Sequence, residues 1–299
     1  MDTLVQALIN GIAVGGFLTL MVLGFSIIWG VMGVINFAHG EFIMVGAYMA
    51  WFARSEWGIE PLYSALPIFM IMFVVGFILQ KLVVNKVIDR PHLVSLLVMF
   101  AASIIMSNSV KLIAGADFRR VNSDIQKGFW ELGDLATIPR KHTVVLAVAL
   151  VVLIALQTFL QRTRLGKSIR AAAQNRQAAQ IVGIDIKWVY AFTFALCIGI
   201  TAMSGALTST IIPVFPFMGP PWALRAFVIT ALSGLGSVKG TLGAAMFLGI
   251  LESLVATYAP GNSGSQLAVI TAFGLLVLTL VVRPQGLFGG LRPVESGAH

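Results

Sequence analysis

Charge is scarce in this chain. Of 299 residues, 11% are Asp, Glu, Lys or Arg and 58% are hydrophobic, giving a mean hydropathy of +0.92. A soluble domain is about one-quarter charged, so this chain is short of the side chains that coat a water-facing surface. Its one cysteine, Cys197, lies in an apolar run, which excludes an intrachain disulfide and a dithiol redox motif. The four histidines (39, 92, 142 and 299) lack metal-ligand spacing, and HEXXH is absent. No G-x-x-x-x-G-K-[ST] loop occurs, so the chain has no such nucleotide site of its own. No nucleophile–base set can be assembled either, which argues against an enzyme. No cofactor is expected on this chain.

What is abundant is long apolar runs. A bilayer crossing needs ~20 apolar residues, and candidates fall at 4–28, 34–53, 62–80, 93–114, 143–161, 189–211 and 266–282. The stretch 223–257 is long enough for two crossings, interrupted at GLGSVKG (234–240). The expected fold is a single all-α polytopic membrane domain over 1–299, with about eight or nine spans and interrupted helices. The N-terminus lacks a basic n-region and a cleavage site, so 4–28 is expected to be a retained membrane segment. A net charge of +8 reflects Lys and Arg gathered in cytoplasmic loops rather than a nucleic-acid surface. Residues 162–187 carry six basic side chains against Asp185, and 81–92 carries Lys81, Lys86 and Arg90 against Asp89. Both are expected to be cytoplasmic. Segment 115–142 balances five basic with four acidic residues and is expected outside. The N-terminus then also faces outward if 4–53 crosses twice, and the tail after Arg283 faces inward.

Small residues mark helix contacts. Gly11/Gly15 and Gly236/Gly240 form GxxxG pairs that let backbones approach closely. Each half holds a Gly-rich interruption, GVINFAHGEF (33–42) and ALSGLGSVKG (231–240). This faint duplication points to a substrate path at a repeat interface.

Only Glu41 and Glu252 among the acids fall well inside apolar spans. An ionisable group there costs ~2.5–3.5 kcal/mol, so each should face the bundle or a wet cavity and find a partner. One reading makes them proton carriers. The other makes them hydrogen-bond acceptors that lock an irregular helix, with Glu41 capping a restarted helix beside Gly40. Asn36 is a cap and turn former, and VINFAHG reads as a span that breaks and restarts as EFIMVGAYM. His39 is expected to satisfy a neighbour's hydrogen bond. Gly234, Gly236 and Ser237 mark the second break. In the basic loop, GKSIRAAAQNRQAAQIVGI is rich in helix formers, with Ser168 as N-cap and Gly183 as C′ stop. Its composition favours a protein-docking helix over a topogenic linker that touches only head groups.

Four motifs in order carry a resemblance over essentially the whole chain. They are GFSIIWGVMGVINFAHGEFIMVGAY (24–48), RTRLGKSIRAAAQNRQAAQIVGID (162–185), ALSGLGSVKGTLGAAMFLGILES (231–253) and LTLVVRPQGLFG (278–289). The chain resembles the permease subunits of branched-chain amino acid ABC importers, and the NFAHGE form is closer to the first of the two paired permeases. The resemblance implies a heterodimer with a second permease, or a homodimer, in a bacterial inner membrane. It also implies two cytoplasmic ATPase subunits using ATP and Mg, and a periplasmic or lipid-anchored binding protein that delivers substrate. The helix at about 168–183 would be the coupling helix seated in the ATPase groove, with Ser168, Arg170, Asn175, Arg176 and Gly183 as its contact or shape-determining residues. Asn36, His39, Gly40, Glu41, Gly234, Gly236, Ser237 and Glu252 would belong to the translocation path or its helix breaks. One departure is PPWALRAF (220–227), where many relatives carry a GLKAF-like sequence, which leaves the substrate open. Urea, short amides and aromatic or other small acids are handled in the wider family. A proton-coupled secondary transporter using Glu41 and Glu252, and a pore for a small neutral solute, are the alternatives from other classes.

Overall fold

The computed structural model describes residues 2–124, 127–131, 137–234, 236–260, 263–283 and 286–287. The first half comprises α1 (Asp2–Met32), α2 (His39–Trp57) and α3 (Pro61–Leu79), which runs through a π turn at Gln80–Val84 into α4 (Asn85–Val87), and then α5 (His92–Ala114). After the short antiparallel strands β1 (Phe129–Glu131) and β2 (Thr137–Pro139) come α6 (Arg140–Arg162), α7 (Arg164–Gln174) and α8 (Arg176–Ile181). The chain then forms α9 (Ile186–Thr208), α10 (Gly219–Ser233), α11 (Val238–Tyr258) and α12 (Gly264–Val282). The fold is an all-α membrane bundle, to which the small β1–β2 hairpin in the 115–142 segment is the one unforeseen addition.

Seven helical stretches among the described residues are long and apolar enough to cross a bilayer: α1, α3 with α4, α5, α6, α9, α11 and α12. That is fewer than expected, for two physical reasons. The expected span 34–53 starts late, because Gly33 (φ 67°) ends α1 and helix resumes only at His39. The resulting α2 also carries Glu41, Arg54 and Glu56. The expected double crossing 223–257 contains α10, whose 15 residues reach about 22 Å at ~1.5 Å per residue, short of a ~30 Å hydrocarbon core.

Burial sorts centre from rim. In the apolar windows of α1 and α9, 89% of residues are buried, against 22% in α5 and α12. The central helices can be this polar because their hydroxyls serve their own backbone. Thr193, Thr201 and Thr208 of α9 donate to the carbonyls four residues earlier, which satisfies them without a partner helix.

Glycine seams draw the centre together. A methyl on Gly11 would lie 2.6 Å from Ile250 Cα, and one on Gly15 2.7 Å from Met246 Cα. This GxxxG pair is therefore the face on which α1 meets α11, as its spacing indicates. Gly236/Gly240 is not such a pair. Gly236 lies outside the helix at φ 73°, and Gly240 is crowded by its own Ser233 carbonyl and Ser237 hydroxyl. It serves a helix start instead of a helix–helix seam. On the other side of α9, Gly46 of α2 lies on the Ala202 backbone, and Gly205 lies on that of Ile43.

Side-chain contacts tie the connecting segments together at each end of the bundle. Gln6 exchanges two hydrogen bonds with the backbone of Thr137 (2.9 and 3.0 Å), so the start of α1 shares a face with 115–142. Asp89 and Arg176 are ion-paired, which joins the two basic loops on the opposite face. The Arg176 guanidinium holds the Asp89 carboxyl below the usual carboxylate range and is itself held charged. The link is present at neutral pH and is lost as pH falls through the lowered Asp89 value.

Gly15→Val is expected to overpack the α1–α11 seam and cost about 1–3 kcal/mol. Thermal unfolding of the purified chain in detergent checks this, and an unchanged midpoint would contradict the seam.

Candidate functional site

The sequence NFAHGE builds a helix start inside the protein. Such a start leaves N–H groups without helical partners. The break meets them with its own carbonyls: His39 N–H donates to Asn36 O, and the N–H groups of Glu41 and Phe42 donate to Ala38 O. Asn36 thus serves through its backbone. Its side chain does not cap α2, and both amide atoms are buried without a partner among the described residues. Gly40 does not make the turn, which falls to Gly33. Instead Gly40 is helical and lies directly on the backbone of Gly219, the first residue of α10.

His39 turns back toward α1. Its Nε2 donates to the Met21 carbonyl at 2.7 Å, and its ring meets Phe25 edge-on at 5.2 Å. Nδ1 is then the acceptor nitrogen and is buried without a partner among the described residues. This is the hydrogen-bonding role expected of it, with the helical carbonyl of an intact α1 as recipient.

Glu41 does not cap backbone. Its Oε1 accepts from Ser103 (2.6 Å) and Ser107 (2.9 Å) of α5. Its Oε2 is buried without a hydrogen-bond partner among the described residues and occupies the space that a side chain on Gly219 would need. One carboxylate therefore touches three helices. The start of α10 it faces reads Gly-Pro-Pro, and the two prolines remove N–H groups that a buried helix start would otherwise leave unmet.

The second intramembrane acid also reaches α10. Glu252 of α11 lies 3.5 Å from Arg225, their side chains 9% and 23% exposed. Arg225 in turn sits over the Trp222 ring at 5.0 Å, and Trp222 meets Phe17 of α1 edge-on. The helix between the two acids ends at Gly234 (φ 77°), and Ser237 restarts the chain by accepting from Gly240 N–H at 3.0 Å. The two interruptions lie side by side, with Gly236 packed against Gly30 at the end of α1.

Three residues here escape a reading from sequence. Ser103 and Ser107 carry a faint signal: with Ser95 and Met99 they form a buried stripe at four-residue spacing on an otherwise apolar helix. Arg225, in the departure PPWALRAF, is the partner that Glu252 needs, and its place in an apolar span is the signal.

The basic loop folds differently from the single helix expected over 168–183. Thr163, not Ser168, is the N-cap: its Oγ1 accepts from Gly166 N–H at 2.9 Å. Ser168 lies one turn inside α7 and donates to Arg164 O. Asn175 breaks the helix in extended conformation and caps α8 through Ala178 N–H. Gly183 (φ 85°) is the stop, with the Ile184 N–H returned to Ala179 O and its own to Gln180 O, a Schellman closure. Arg170 faces its own chain, donating through Nε to Leu160 O at the end of α6. Arg176 is engaged with Asp89 and lies over the Tyr190 ring. Beside exposed polar side chains such as Arg164 and Lys167, the loop also bares two large aliphatic ones: Ile181 is 85% and Val182 75% exposed, beside Gly183.

Arg225→Met leaves a buried carboxylate unpaired and is expected to cost about 3–5 kcal/mol, with much of it regained when Glu252→Leu is added. Unfolding of the two variants and the pair measures this. Equal stability of Arg225→Met and the parent would contradict a functional ion pair.

Comparison with known proteins follows from this geometry. The family described as "Branched-chain amino acid transport system / permease component" matches residues 7–281. The high-affinity branched-chain amino acid transport system permease protein LivH of Salmonella typhimurium is 28% identical, with 95% of each chain covered. The protein BraD of Pseudomonas aeruginosa, which bears the same description, is also 28% identical with 95% of each chain covered. Among solved structures, PsaBC from Streptococcus pneumoniae in complex with Fab superposes with a TM-score of 0.50 at 12% identity, covering 95% of this chain and 91% of that one. This last likeness concerns the fold alone.

Proposed function

The chain belongs to the branched-chain amino acid transport system permease family, and from that premise we propose that it carries branched-chain or closely related amino acids into the cell. It does so as the membrane subunit of an ATP-driven importer in a bacterial inner membrane. Hydrolysis of ATP with Mg is the work of two partner ATPase chains. A second permease, or a second copy of this chain, completes the path, and a binding protein delivers substrate on the face that carries 115–142. An aliphatic zwitterion suits a bundle whose interior is mainly apolar and carries few ionisable groups within its spans.

The observation that carries the coupling half of this reading is the α7–α8 unit. It is a compact, capped, double-helical projection on the basic face, rooted by Arg170 on α6 and by Arg176 on Asp89, with Ile181 and Val182 bare at its tip. Two large aliphatic side chains exposed on a basic loop are suited to a groove in a protein partner. Motion imposed there reaches the bundle through two rigid routes, the Thr163–Gly166 corner into α6 and the Asp185-capped start of α9. On this view α10, gripped by Glu41 at its start and by Glu252 through Arg225, is the piece of the path that α9 and α11 shift. The paired helix breaks on either side of α10 are in keeping with a bundle of two related halves.

Replacing Ile181 and Val182 with Glu is expected to abolish co-purification of the ATPase subunits while leaving the chain folded and its elution profile unchanged. Undiminished co-purification would refute the assignment of this tip as the coupling contact. Uptake that continues without any ATPase and collapses with the proton gradient would favour a secondary transporter instead.

A further inference from the structure

On the face that carries 115–142, a cavity of about 570 Å³ lies between α2, α3 and the outer end of α5. Its walls are apolar, including Met49, Phe52, Ile68 and Ile71, and it ends at Ile113 and Ala114. Several of these are open to the surroundings of the bundle, Ile113 at 87% and Ile71 at 51% exposed, so the cavity is a groove that opens sideways into the bilayer. From Ser64 to Ile71, the part of α3 that lines it, the helix rises about 10 Å at ~1.5 Å per residue, about two-thirds of one leaflet in a ~30 Å core.

The polar groups line the α2 side of the groove, from Tyr48 to Glu56, about 12 Å farther out at ~1.5 Å per residue. Arg119 stacks on Trp51 with 4.1 Å to the ring centre and donates through Nη2 to Ala114 O. Its Nε is buried with no partner among the described residues, as is the Tyr48 hydroxyl in the same wall. Glu56 also lines the groove and makes no ion pair among the described residues. An apolar slot reaching well into one leaflet, with a cation, an anion and two hydrogen-bonding groups unmet among the described residues around it, matches an amphiphile whose head group carries both charges.

We propose that this groove is a binding site for one phospholipid of the outer leaflet with an ammonium-bearing head group. One acyl chain fills the slot between α2 and α3 beside the end of α5, Arg119 receives the phosphate, and Glu56 receives the ammonium. The inference stands apart from the transport reading. The lipid's role is to fill the gap beside α5, a helix whose apolar window is 22% buried and which Glu41 ties to the bundle through Ser103 and Ser107. Charge-assisted hydrogen bonds to phosphate are the strong ones, and an acyl chain replaces lost van der Waals contacts along the slot.

The test is native mass spectrometry of the full chain, purified in mild detergent and exposed in separate arms to phosphatidylethanolamine, phosphatidylglycerol, inorganic phosphate and free leucine. About one phosphatidylethanolamine per chain is expected to survive detergent washing, bound in preference to phosphatidylglycerol. Inorganic phosphate and leucine should neither bind nor displace it. Arg119→Ala is expected to weaken retention by roughly tenfold, with partial recovery in Arg119→Lys. Ile71→Trp, which fills the slot from an exposed position, should abolish retention, whereas Ile78→Trp on the lipid-facing side of α3 should not. Retention unchanged in Ile71→Trp, displacement by leucine, or no retained lipid in the parent chain would each overturn the site. So would a cross-link through Ile113 to a second permease chain that excludes lipid.

Discussion

Gly40 and Gly219 bring two helix starts into backbone contact inside an apolar bundle, and much of the arrangement follows from that contact. In hydrocarbon every N–H and C=O must find a partner within the protein, so a helix can begin there only if its first turn is enclosed. For α2 the enclosure comes from carbonyls of the 33–38 break, and for α10 from prolines that remove donors. Both solutions require the chains to come closer than any Cβ allows, which is why glycine stands at both positions. Glu41 then lies where it touches α2, α5 and α10 together. An acid there is costly, and two serine hydroxyls on a lightly packed helix offset part of that cost.

The same short helix is held a second time, by Arg225 and Glu252. A 15-residue helix too short to cross the bilayer, with breaks at either end and an acid at each of two points, is the least conventional element of the bundle. By contrast α1, α9 and α11 form a rigid frame, joined by glycine seams and with hydroxyls satisfied internally. Interdigitated backbones of this kind move as bodies and do not stretch. On the coupling reading proposed for α7 and α8, movement imposed there is delivered to the break residues around 33–38 and 234–237, where glycines at positive φ already interrupt the hydrogen-bond ladder.

Much of this was readable in the sequence. Long apolar runs announced the bundle. Gly11 and Gly15 marked a true seam, and both interruptions fell where expected. What could not be read was which partner each polar residue takes. Glu41 and Ser103 are distant in the chain, and nothing local shows that a carboxylate beside a helix break will turn to another helix. Asn36 illustrates the opposite error: its capping propensity is real, but the backbone carbonyls of the break reached the free N–H groups first. Arg225 looked like a departure from pattern until Glu252 was seen beside it. In the basic loop, helix propensity hid a break, because Asn175 gains more by capping α8 than by continuing α7.

The central claim is that this chain moves an amino acid only when partner subunits hydrolyse ATP. It is tested most directly by uptake of labelled leucine into proteoliposomes that hold the chain with its companion permease, ATPases and binding protein. Uptake is predicted to require ATP inside the ATPase compartment and to vanish when the ATPase catalytic residues are inactivated. Undiminished uptake with inactive ATPases would contradict the account.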